Sequence, residues 1–164
     1  ADVQLLGSGA ILREVIAAAD LLKQDFGFEA DLWSITSFNE LRREGESADR
    51  WNLLHPGDER RVSYVEQQMT NTSGPVVAAS DYQKLVADQI RPYVPRRYSV
   101  LGTDGFGRSD SRSQLRKFFE VDRYFIVLAA LSALVDEGRT GVDDVNRAIS
   151  IYNIDSDKPD PVSF

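Results

Sequence analysis

Cysteine is missing from all 164 residues, and histidine occurs once. The first absence excludes disulfides and thiolate metal centres and suits a cytoplasmic protein. The second removes the material for catalytic dyads and most metal sites, which draw on more than one such residue. No window approaches the roughly 18 uncharged apolar residues of a membrane span, and no secretory or transit pattern opens the chain. Basic residues are outnumbered, 19 against 26 acidic ones. The resulting formal charge of −7 lacks the positive surface that a nucleic-acid backbone demands. What is present is ordinary globular composition, 42% apolar and 27% charged, in a length that fits one domain with a real core.

Short apolar runs lie at 3–9, 31–36, 75–80 and 98–103, and helical patterns separate them. A helix is expected over 10–26, where Ile11, Leu12, Val15, Ile16, Ala19 and Leu22 form one stripe and Gly27 is the stop. Ser37 and Glu40 have the spacing of a capping box, which opens a helix reaching Glu44. The polar stretch 45–61, broken by Pro56 and Gly57, reads as a short helix and a loop. Residues 62–69 read as helical or irregular. Further helices are expected over 81–94, 111–119, 122–137 and 142–152. Strands that are short and nearly unalternating, with helices between them, predict an α/β fold: a mostly parallel sheet with helices on both faces. The domain is expected over 1–154, with a Pro- and Asp-rich tail over 155–164 lying on the surface or loose. Since the chain enters VQLL directly after Ala1 and Asp2, a piece of something longer is expected, although Met removal gives the same start.

Parallel strands joined by right-handed crossovers place all their C-terminal ends on one edge. That edge carries Gly7-Ser8-Gly9, Thr36-Ser37, Ser80-Asp81 and Thr103-Asp104-Gly105, and such edges meet ligands or partners. Gly7-Ser8-Gly9 reads as a tight strand-to-helix turn rather than a dinucleotide fingerprint, because Leu12 stands where a third glycine is needed. No P-loop occurs. His55, in LLHPG, reads as a turn residue. The carboxylates read as solvated, without metal-binding spacing, and so do Arg60-Arg61 and Arg96-Arg97. The segment 122–137 is apolar all round from Tyr124 to Leu131. A buried strand is the alternative, but Asp122 as N-cap and Gly138 as C′ favour a helix. Such a helix needs cover on every side, and the side away from the sheet is expected to meet another domain or subunit.

VLGTDGFGRSDSR, residues 100–112, is the most unusual stretch. Gly102, Gly105 and Gly107 permit a sharp turn where the fourth strand ends. Asp110 or Ser111 caps the next helix. Phe106, an apolar ring between two glycines in a polar loop, has no local purpose and predicts a pocket to fill in this domain or a neighbour. Interdomain or intersubunit packing is the first reading of the loop, and lining a substrate route the second. The contact candidates are Asp104, Phe106, Arg108, Ser109 and Asp110, with Tyr124 and Phe125 on the apolar helix.

RWNLLHP (50–56) and LGTDGFGRSDSR (101–112), in the order strand–GSG–helix, TSFNELRREG, then SDYQKLVADQIRPYV, resemble the C-terminal region of the homodimeric, thiamine-diphosphate-dependent pyruvate dehydrogenases of the transketolase superfamily. The resemblance runs to about Ile154, and the Asp-Gly-Phe-Gly core is similar to an Asp-x-Phe-Gly turn of other transketolase-type enzymes. It implies a three-layer sheet of about five strands, one of which runs antiparallel in some members. It also implies a parent enzyme that decarboxylates pyruvate on thiamine diphosphate and magnesium and reductively acetylates the lipoyl group of a dihydrolipoyl acetyltransferase. In that family the Gly-Asp-Gly…Asn motif, the activating glutamate and the catalytic histidines belong to earlier domains. This chain is thereby expected to carry no catalytic, cofactor or metal residue and to be inactive alone. Its partners would be the N-terminal and middle domains of its own polypeptide and the second subunit of a homodimer. A docking module for the acetyltransferase core or lipoyl domain is the alternative.

Overall fold

The computed structural model describes residues 1–163; Phe164, the end of the expected tail, lies outside the described residues. Strands β1 (Val3–Gly7), β2 (Ala30–Ser34), β3 (Val76–Ala79) and β4 (Tyr98–Leu101) form one sheet in the order β2-β1-β3-β4. Every pairing is parallel, in a register that aligns Leu5 with Leu32 and Val77, and Val77 with Ser99. The central strands β1 and β3 are buried along their whole length, which explains their unalternating sequence. The α/β class and both-face coverage are as the sequence predicts. The described residues give four strands, all parallel, where the resemblance implies about five.

Alternation along the central strands sends side chains to two cores. Val3, Leu5, Val77 and Ala79 face α1 (Leu12–Leu21), α6 (Arg123–Asp136) and α7 (Val142–Ile151). Leu6, Val76 and Ala78 face α2 (Phe38–Leu54), α3 (Tyr64–Thr70) and α4 (Lys84–Asp88). Gln4 is the polar residue among them. It is fully buried and fully used: Nε2 donates to Asp31 Oδ2 at 2.8 Å and to the Ser73 carbonyl at 3.1 Å, while Oε1 accepts from Trp33 Nε1 at 2.8 Å. The edge strand β2 is tied to β1 by these side-chain bonds as well as by the ladder.

Caps fall where the sequence puts them. Ser37 accepts from the Glu40 amide, and Asp122 accepts from the amides of Tyr124 (3.1 Å) and Phe125 (3.0 Å). Two element boundaries differ. Helix α2 does not stop at Glu44 but runs to Leu54, passing through Gly45, because the Tyr93 ring lies on that glycine. A Cβ there would stand 2.5 Å from Tyr93 Cζ. The segment 81–94 is not one helix: α4 ends at Asp88, and a 3₁₀ turn, Arg91–Tyr93, carries Pro92.

Two polar expectations are corrected. Glu14 is not solvated; it is 7% exposed at the start of α1. Its carboxylate accepts from the Arg123 amide at 2.9 Å, from Arg123 Nε and Nη2 at 3.1 Å, and from Arg116 Nη1 at 3.3 Å. Burial acts to raise its pKa, but the Arg123 bonds and both guanidinium charges outweigh that and hold it below its ordinary value. Arg96 likewise turns inward, donating from Nη2 to the Met69 carbonyl at 2.9 Å and to the Thr72 hydroxyl.

Helix α6 finds its cover inside the chain, contrary to expectation. Ile126, Val127, Ala130, Leu131, Ala133 and Leu134 are buried against α1, α7 and the sheet, leaving Tyr124 half-exposed and Ser132 exposed. The reason is α7: Ala148 and Val145 close the side that the sheet cannot reach.

Replacing Glu14 with Ala is expected to lower unfolding stability by about 2 kcal/mol at neutral pH, since charged hydrogen bonds are lost. Because the folded pKa is depressed, the contribution is present above the ordinary Glu value and lost as pH falls through the folded one. Urea unfolding of wild type and Glu14→Ala checks this: the stability gap narrows from about pH 5 downward.

Candidate functional site

The carboxyl ends of the strands gather the residues singled out by the sequence. At the end of β1, a Cβ on Gly7 would stand 2.9 Å from Val15 Cγ2 and 3.1 Å from Leu12 Cα. Glycine there lets α1 start hard against the strand, so Gly7-Ser8-Gly9 is the tight turn expected of it.

The ends of β3 and β4 are braced to one another. Thr103 donates its amide to the Tyr82 carbonyl at 2.9 Å and its hydroxyl to the Asp81 carbonyl at 2.6 Å. Asp104 Oδ1 accepts from the Lys84 amide at 2.9 Å, capping α4 from another segment of chain. Gly102 makes the approach possible, since a Cβ on it would meet the Lys84 nitrogen at 2.6 Å and the Tyr82 carbonyl oxygen at 2.7 Å. Asp104 is thus a buttress of the edge.

Beyond the brace the loop turns at Gly105, whose φ of +121° and 2.4 Å Cβ approach to the Pro161 carbonyl oxygen both demand glycine. The tail holds this turn in place: Pro161 is buried, and Lys158 Nζ donates to the Phe118 carbonyl at 2.7 Å and to Glu120 Oε1 at 3.1 Å. Arg108 lays its guanidinium over the Phe118 ring, 4.1 Å from the centroid. Asp110 accepts from the Ser111 amide at 2.7 Å, and Ser111 caps α5 (Arg112–Phe118). Ser109 is exposed. Phe106 is 74% exposed, so no pocket among the described residues receives it.

Tyr124 and Phe125 line a different cavity of about 450 Å³. Lys117 and Lys158 belong to its wall and also to the wall of a smaller cavity beneath Arg108 and Asp110, so the two regions adjoin. The Tyr124 ring sits 4.9 Å from that of Tyr152, whose hydroxyl donates to Asp25 at 2.7 Å. Burial and that carboxylate push the Tyr152 phenol well above its usual range.

Sequence reasoning missed two residues. Tyr82, 67% exposed on the β3–α4 connection, and Leu85, 73% exposed in the first turn of α4, stand where the brace fixes the chain. The signal was available in SDYQKL at a strand end, but the run reads as part of one helix over 81–94. His55 is structural as expected: its Nδ1–H donates to the Trp51 carbonyl at 2.8 Å, and its ring stacks on the indole at 4.3 Å, with Arg61 on the same indole at 4.1 Å. Among the described residues no three His, Asp or Glu side chains are grouped to hold a metal ion, and no helix is long and apolar enough to cross a membrane.

Comparison with known proteins gives these features a context. The sequence model of the transketolase-like TK C-terminal domain matches residues 1–122. The chain is 62% identical over 161 residues to the pyruvate dehydrogenase E1 component of Cupriavidus necator, 59% over 161 to that of Pseudomonas aeruginosa and 52% over 160 to that of Escherichia coli K12. These matches cover 97–98% of this chain but only 18% of each relative's length. A solved split-gene transketolase, described as an inactive beta4 tetramer, superposes with a TM-score of 0.59 at 16% identity, covering 82% of this chain and 39% of that one. It shows the shared fold.

Asp104→Ala is expected to uncap α4 and loosen the brace, lowering stability by about 1 kcal/mol. Thermal unfolding checks the loss, which Asp104→Asn should partly restore by keeping an acceptor.

Proposed function

The chain belongs to the transketolase-like C-terminal domain family, and from that premise we propose that it is the C-terminal domain of a pyruvate dehydrogenase E1 component. The observation that carries the reading is the 52–62% identity to E1 components along nearly the whole chain. On this reading the parent protein is an oxidoreductase that decarboxylates pyruvate and delivers the acetyl unit to the lipoyl group of an acetyltransferase component.

Thiamine diphosphate, with magnesium, supplies the electron sink for decarboxylation in such an enzyme. The residues of this chain do not fit as its holders. Among the described residues no three His, Asp or Glu side chains are grouped, and three of the carboxylates are committed elsewhere: Glu14 to Arg116 and Arg123, Asp104 to the Lys84 amide, and Asp122 to the start of α6. The domain spanning 1–154, with its tail, instead serves assembly. Phe106 offers an unburied ring on a braced edge, and Tyr124 and Phe125 offer a second aromatic surface beside it. These surfaces support the homodimer and flank the approach to the reacting centre without entering the chemistry.

Burying a phenylalanine contributes about 2 kcal/mol, so Phe106→Ala in the longer enzyme should weaken dimer affinity or pyruvate turnover about thirtyfold. The same change in the 164-residue chain should leave circular dichroism and unfolding unaltered. Wild-type assembly and turnover in the variant, or micromolar thiamine diphosphate binding by this chain in calorimetry, would count against the reading.

A further inference from the structure

The order of connection of the parallel strands reverses at the centre of the sheet. Strand β1 runs through α1 to its neighbour β2, and β3 runs through α4 to its neighbour β4, while β1 and β3 lie side by side. Helix α1 packs in the core beneath Leu5 and Val77, and Ala87 of α4 packs in the opposite one. The two connections therefore leave to opposite faces and open a crevice outside the carboxyl ends of β1 and β3, the position where open α/β sheets take ligands.

A cleft of about 460 Å³ occupies this position, with Ala10 from the turn after β1 and Asp81 from the turn after β3 on its wall. Thr103, Arg108, Arg112 and Arg116 complete it. Arg116 shares the Glu14 carboxylate, 3.3 Å away. Arg108 rests on the Phe118 ring, and Arg112 is exposed. Among the described residues neither of these two has a carboxylate within ion-pair distance. The nearby Asp104 is taken by the Lys84 amide, which leaves Asp81 as the one acidic side chain on the wall. In a protein of net charge −7, two guanidiniums without an ion-pair partner among the described residues stand beside one crevice and give it positive potential. Their planar forks match the paired oxygens of a phosphate or a carboxylate.

We infer that this cleft at the centre of the sheet edge binds a small anion bearing a phosphate or carboxylate group, held by Arg108 and Arg112. The inference stands on the cleft and its arginines and does not depend on the pyruvate dehydrogenase reading. Both cores are closed by the chain's own helices, so the 164-residue chain is a fit subject for the test.

Inorganic phosphate and pyruvate are titrated separately, at constant ionic strength, into the ¹⁵N-labelled chain. The expected result is saturable shifts at the amides of Ala10, Thr103, Gly107, Arg108 and Arg112 with at least one of the two anions. Response to phosphate alone assigns a phosphate ligand, and response to pyruvate alone a carboxylate. Arg112→Ala should weaken binding about tenfold, as expected for loss of a charged hydrogen-bond donor. Asp81→Asn should tighten it about threefold by removing the opposing charge. Arg112→Lys, which keeps the charge without the fork, should fall between wild type and Arg112→Ala. Absence of saturable shifts with both anions, or titrations unchanged by Arg112→Ala and Asp81→Asn, would overturn the inference.

Discussion

The clasp between the ends of β3 and β4 is the constraint on which the rest of the edge depends. Asp104 caps a helix that begins twenty residues earlier in the chain, and Thr103 secures the connection leading into it. Gly102 is the only residue small enough for the two segments to meet. The clasp converts two loops at adjacent strand ends into a single fixed platform. From that platform Phe106, Tyr82 and Leu85 project into solvent, each more than two-thirds exposed. Holding large apolar side chains in water is unfavourable unless something covers them in the working protein. A rigid mount makes that cover inexpensive, because little conformational entropy remains to be lost on docking.

The molecule separates stability from function along its length. Its interior is self-sufficient: α1, α6 and α7 close one face of the sheet, and α2, α3 and α4 close the other. Charged residues that a surface reading would assign to solvent instead fasten elements to one another: Glu14 joins α1 to α5 and α6, and Arg96 ties the loop before β4 to the end of α3. The carboxyl edge is where Phe106, Tyr82 and Leu85 stand exposed on segments that the glycine turns hold in place. Belonging to a family of C-terminal domains, and spanning 18% of its E1 relatives, the chain has the organisation of a finished wall with one prepared face.

The fold class was legible because it follows from local rules. Short unalternating runs gave the buried parallel strands, and Asp122, Ser37 and Gly27 marked helix ends by capping chemistry that needs no tertiary contact. Failures occurred where distant contacts overrode local preference. The stretch from Gly45 reads as a separate short helix and a loop until the Tyr93 ring is placed on that glycine, and Glu14 reads as solvated until Arg116 and Arg123 arrive from more than a hundred residues away. Helix α6 seemed to require a foreign partner because its composition does not reveal that α7 folds back over it. At the candidate site, Phe106 was visible as a misfit in its loop, whereas Tyr82 and Leu85 were hidden inside a segment that reads as one helix.

Native-state hydrogen exchange on the 164-residue chain tests the clasp most directly. If the edge is a fixed platform, the amides of Lys84 and Thr103 are protected to the level of Leu5 and Val77 in the central strands, while Gly107 and Ser109 exchange almost freely. Exchange at Lys84 and Thr103 as fast as at Gly107 would mean that the two loops move independently, and the account of a prepared docking face would fail.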